Sequence, residues 1–183
     1  MAKIKDSAML CLIAGLIGTG LMDLSNFIRY KRKTTELLYG HLAGSIIMAP
    51  FRLRRRRNFF LGQIYHLLSG VVFAFPLLFF LKKTGTDYHR IKGAGFGLLT
   101  WGVLYNAGKK FGLFTKPRLT RTHYSAIQNN LIYGIVTAEA LVRLGDQRLL
   151  QKKVMIQQKS KSVIARSEDK YDNPVISEPN ILN

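Results

Sequence analysis

Asp23 and Glu139 are the two acidic side chains that fall inside long apolar stretches of this 183-residue chain. A carboxylate in hydrocarbon is costly, so its retention points to a proton relay, a cation or a substrate contact. The structural alternative is that both lie toward the ends of their stretches, where Arg29 and Arg143 could pair with them at headgroup depth. His41, His66, His89 and His123 could supply metal or haem ligands, yet no HExxH, no CxxC and no i, i+4 histidine pair occurs. No cofactor or metal is therefore expected, and His66 reads as an interhelical hydrogen-bonding residue. A GxSxG nucleophile turn and a GxxxxGK[ST] phosphate loop are also lacking, and the GAGFG run at Gly93 opens an apolar helix with no preceding strand.

A helical period gathers the polar residues into stripes: Gly15, Thr19, Asp23 and Asn26; His66, Ser69, Gly70 and Phe73; Gly95, Gly102 and Asn106. Polar groups turn away from lipid toward other helices, which predicts an intramembrane polar seam of Asp23, Asn26, His66, Asn106, Asn129 and Glu139. Small residues spaced to let backbones approach closely, Gly15 with Gly18, Gly40 with Gly44 and Gly93 with Gly97, are expected to pack helices within the chain rather than between copies.

The elements that must hold these residues follow from how charge is distributed. The chain has 28 Lys and Arg against 10 Asp and Glu, a net charge of +18, and the basic residues cluster between uncharged apolar runs. A soluble amphipathic helix would interrupt such runs with charge at every turn. The expected fold is an all-α polytopic transmembrane helical bundle of about four helices, with spans near 7–28, 59–81, 93–108 and 124–142. The first could be mistaken for a secretory signal, but no small-x-small cleavage site follows it, so a retained anchor is expected. Pro76 is expected to kink the second span. The apolar segment 37–51 is too short for a span and reads as an interfacial or re-entrant helix. It is anchored to headgroups by Arg52, Arg54, Arg55, Arg56 and Arg57. After Arg143 a cationic amphipathic helix, 144–156, is expected on the membrane surface, followed by a disordered polar tail, 157–183. Lys and Arg divide evenly between the two sides of this arrangement, so charge does not orient it.

The basic clusters flank apolar spans, which makes anionic membrane lipid the expected partner; a membrane protein or a second copy could join it, and nucleic acid is not expected. The lone Cys11 supports no intrachain disulfide.

The order GLIGTGLMD, HLLSGVVFAF, a glycine-rich third helix with Trp101 and NNLIYG in the fourth resembles the uncharacterised bacterial inner-membrane protein families of four helices. The likeness spans residues 8–142, leaving out the segment 37–57 and the basic tail. It implies a multi-pass protein of the cell membrane, specifically a bacterial inner membrane, and carries over no catalytic residue. The function expected is that of a non-enzymatic structural, lipid-binding or partner-binding membrane protein. The alternative is a small transporter or membrane-embedded enzyme that uses the polar seam.

Overall fold

In a computed structural model of the chain, the described residues are 3–36, 38–49, 51–52, 55–110, 112, 118–150 and 164. Among them the fold is all-helical, with no strand beyond an isolated bridge. The helices are α1 (Ser7–Lys31), α2 (Tyr39–Ile47), α3 (Arg56–Thr84), α4 (His89–Thr100), α5 (Asn106–Lys110) and α6 (Thr120–Leu144). A π-helical turn, Trp101–Tyr105, joins α4 to α5, so residues 89–110 form one helical run. Two helices, α1 and α3, are long and apolar enough to cross a membrane. The helix α6 matches α1 in length, but Gln128, Asn129, Asn130 and Glu139 dilute its apolar content.

The long helices α1, α3 and α6 outrun their uncharged stretches because flanking polar residues remain helical. Asp6 caps α1, its carboxylate accepting the Met9 amide at 2.7 Å, and Arg29 and Lys31 lie at the negative end of the helix dipole. The helix α3 continues through Pro76 and ends at Gly85, whose φ of 84° lies where a side chain would be strained. Tyr88, at φ 53°, then starts α4.

The order across the bundle is α4, α6, α1, α3, α2, with α6 packed along both α4 and α1, and α3 touching α4 and α6 only sparsely. Sequential long helices run antiparallel. At one end Lys82 Nζ donates to Ser7 Oγ at 3.0 Å, and Ile4 exchanges backbone hydrogen bonds with Leu144 and Asp146. The main apolar core lies at this end, built from Leu10, Ala14, Leu77, Leu81, Ala138 and Leu141. Leu150 joins it, so the stretch after α6 begins by sealing the bundle; residues 151–156, and the tail 157–183 apart from Ile164, lie outside the described residues.

Beside this apolar core, several polar side chains are enclosed while large apolar ones are exposed. Asn129 and Thr137 are 0% exposed while Val72 is 62% and Leu99 61% exposed. The exposed apolar residues continue along α1, α3 and α4 and into the π turn, among them Leu24, Phe27, Leu68, Phe79 and Val103.

Glycines set the helix separations. A methyl at Gly15 would lie 2.6 Å from the Val71 backbone, one at Gly93 2.7 Å from the Ala138 methyl, and one at Gly40 2.7 Å from the Phe59 ring. Gly18 meets Thr137, Gly97 meets the Asn130 carbonyl, and Gly44 faces Gly62. All of these contacts lie within the chain. The stripe Gly95, Gly102 and Asn106 is not an internal face as the period suggested: Gly95 and Gly102 have nothing within 4 Å of an added methyl. The α4 face turned to α6 is instead that of Gly93, Gly97 and Thr100, because only there can the backbone settle against Gly134 and Asn130.

Candidate functional site

The sparse contact between α3 and the 89–110 run leaves a cleft of about 340 Å³. Its walls are Tyr65, His66 and Ser69 of α3 and Leu104 and Tyr105 of the π turn; Thr19 of α1 and Tyr133 of α6 form the floor. Tyr39 and Ile46 of α2 close one end, and the exposed side chains of Ile46, Tyr65 and Leu104 form the rim.

His66 is the cleft's imidazole. Tyr39 stacks on it, ring centres 4.7 Å apart and 13° from parallel, and on α1 Asp23 Oδ1 lies 3.1 Å from His66 Nε2. That separation is ion-pair distance, but it is off the line of a hydrogen bond, so among the described residues Nε2 has no hydrogen-bond partner. The other Asp23 oxygen accepts from Gln63 Nε2, one helical turn before His66 on the same face of α3. Both side chains are largely covered, Asp23 at 20% and His66 at 14% exposed. Tyr133 donates to the Gly70 carbonyl at 2.6 Å, and Thr19 to the Gly15 carbonyl at 2.7 Å, so the floor's hydroxyls are held by backbone. Among the described residues no Ser, Thr or Cys hydrogen-bonds the His66 ring; Ser69 Oγ donates to the His66 carbonyl instead. The arrangement can accept a proton or hydrogen-bond a polar group, and it lacks the bonded nucleophile that acyl transfer requires.

Asn26 and Asn129 belong to a second group between α1 and α6, both buried and joined to the half-buried Ser25. Ser25 Oγ donates to Asn129 Oδ1 at 2.8 Å, and Asn129 Nδ2 donates to Asn26 Oδ1 at 3.4 Å. Glu139 lies about 15 Å further along α6. Its carboxylate accepts from Arg90 Nε at 2.6 Å, sits 2.9 Å from His89 Nε2 and pairs with Arg143, fastening α4 to α6. The hydrogen bond and charge of Glu139 hold the Arg90 guanidinium above its ordinary range. Asn106 opens α5 half-buried, and among the described residues no hydrogen bond joins its side chain to these groups. The sequence-derived seam is thus distributed over separate places: Asp23 with His66, Asn26 with Asn129, and Glu139 at the opposite end. Among the described residues no three His, Cys, Asp or Glu side chains converge as a metal site would need.

Arg52, Arg55, Arg56 and Arg57 are exposed at the start of α3, and Arg54 lies outside the described residues. The first turn of α3 holds no acidic residue, so these cations face the positive end of the helix dipole.

Sequence reasoning missed Tyr39, Gln63, Tyr105 and Glu36. Gln63 was available, three residues before His66 on one helix face. Glu36 accepts the amides of Arg118 at 2.8 Å and Leu119 at 3.1 Å, capping α6 from a distant loop. The signal for it was an absence, since no capping side chain is supplied at Leu119. Comparison with protein-family models, with curated proteins and with solved structures finds no match for the chain.

Proposed function

We propose that this chain is a multi-pass membrane protein with four spans, near residues 7–28, 59–81, 93–108 and 124–142, and with α2 as a re-entrant helix. It acts without catalysis, receiving the polar end of an amphiphile from the bilayer in the cleft between α3 and the π turn. One observation carries the membrane reading: polar Asn129, Thr137 and Ser125 are enclosed, while aliphatic and aromatic residues cover the outside of α1, α3 and α4. The arginines at the start of α3 support it, because a helix N-terminus disfavours cations, and lipid phosphates offset that cost by about 1 kcal/mol per Arg. Placement in a bacterial inner membrane rests on the resemblance in helix order. The packing glycines are occupied within the chain, which disfavours their use between two copies.

Reporter tags after Lys33, Arg57, Lys83 and Lys116 and at the C-terminus test the span count. Tags after Lys33 and Arg57 should report one side of the membrane and the later ones should alternate. Opposite sides for Lys33 and Arg57 would make α2 a span and remove the re-entrant helix.

A transporter or membrane-embedded enzyme is the second reading, favoured by the Asp23–His66 pair beside the cleft. It requires loss of function on Asp23→Asn. The first reading requires instead that charge reversal across Arg55, Arg56 and Arg57 disturbs membrane insertion more than Asp23→Asn does.

A further inference from the structure

On a different face of α1 from the cleft, a groove of about 450 Å³ runs between α1 and α6. Leu21, Leu24 and Ile28 of α1 and Ile132 of α6 form its apolar part, and Arg29 and Arg32 close the end nearest the helix C-terminus. The spacing 21, 24, 28, 32 keeps these α1 residues on one face, so the groove extends about 16 Å from arginine to Leu21. Among the described residues no carboxylate lies within ion-pair distance of Arg29 or Arg32. Ser25 and Thr34, also in the groove, are already hydrogen-bonded, Ser25 to Asn129 and Thr34 to the Arg29 carbonyl. Two uncompensated guanidinium groups above an apolar trough, on a surface that exposes Leu24 and Ile28, match a molecule with a phosphate head and an alkyl chain.

We infer that this groove is a binding site for one anionic phospholipid, its phosphate held by Arg29 and Arg32 and an acyl chain lying along Leu21, Leu24 and Ile132. The inference rests on the membrane reading of the chain, but not on the cleft or on the arginines preceding α3.

The test uses the full chain purified in mild detergent, with thermal unfolding and native mass spectrometry as readouts. Phosphatidylglycerol, phosphatidylcholine and glycerol phosphate are added separately. Phosphatidylglycerol should add one tightly held copy that the Arg29 and Arg32 variants lose and should raise the unfolding temperature, and the other two should not. The pair Arg29→Gln with Arg32→Gln should weaken phosphatidylglycerol about thirtyfold, at roughly a factor of five per arginine. Lys83→Gln, exposed at the opposite end of the bundle, should leave this binding unchanged. Ile132→Trp, which fills the trough and keeps both charges, should also abolish binding and serves if the arginine pair fails to fold. Retention of binding by the arginine pair or by Ile132→Trp overturns the site. An equal response to glycerol phosphate assigns the arginines to a free phosphate, and an equal response to phosphatidylcholine assigns the trough to any lipid. Either result also overturns the proposal. Recovery of the chain in the soluble fraction would instead refute the membrane reading itself.

Discussion

Replacing Gly134 with alanine tests the packing argument at its tightest contact with backbone. A methyl there would sit 2.9 Å from both the Gly93 carbonyl carbon and the Gly97 amide nitrogen, and would overlap the Gly93 carbonyl oxygen. These are backbone atoms of α4 and cannot rotate aside, so α4 and α6 must separate. Overpacking of this kind costs about 1–3 kcal/mol, and a backbone obstacle places it at the upper end. Alanine recovers up to about 1 kcal/mol of helix propensity, which leaves a net loss of about 2 kcal/mol. Gly95→Ala is the matched control: it lies in α4, its added methyl meets nothing within 4 Å, and only the propensity gain remains. The two variants should differ by about 3 kcal/mol in unfolding by sodium dodecyl sulfate titrated into mild detergent. Equal stability would refute the close approach of α4 to α6 and favour an inward face through Gly95.

Glu36→Ala should cost about 1–2 kcal/mol by leaving the Arg118 and Leu119 amides without an acceptor, and hydrogen exchange should report fraying confined to the start of α6. Asn129→Leu, which keeps side-chain bulk but removes the acceptor of Ser25 and a donor to Asn26, should destabilise by about 1–2 kcal/mol in the same detergent titration; a neutral result would show that the α1–α6 polar group adds nothing to packing. Glu139→Gln should weaken the α4–α6 tie by about 1 kcal/mol or less, and by less again in high salt, because Arg90 and Arg143 are mostly exposed; a loss independent of salt would locate the tie in a buried environment.

Helix positions were legible because apolar runs and basic clusters alternate so sharply, and length then limits each run to a helix. Which face of each helix turns inward was less so. The spacing of Gly93 and Gly97 identified the packing face of α4, yet the polar stripe through Gly95 and Asn106 pointed to another. A periodicity argument weighs every small or polar residue alike, whereas contact requires a matching gap on the partner. Gly134 and Gly62 supply those gaps and stand four residues from Ala138 and His66, one of which completes a small-xxx-small pair that could have been noticed. The cleft was out of reach for a different reason. Its members come from five helical segments, and Tyr39 sits on a nine-residue helix with too few turns to show a period.

The π turn shows why the cleft is better regarded as a formed feature than as a gap in packing. In α4 the face turned to α6 runs through Gly93 and Gly97, and an uninterrupted α-helix would carry that face onward into Trp101 and Leu104. A π turn holds more residues per turn, so the chain beyond it is rotated back relative to that course. After the rotation Tyr105 is the residue that meets α6, through a contact of 3.2 Å with His123, while Leu104 stands on the exposed rim of the cleft. Among the described residues the buried indole nitrogen of Trp101, within the turn, has no hydrogen-bond partner. The turn's position in the wall opposite His66 links the irregularity to the shape of the cleft.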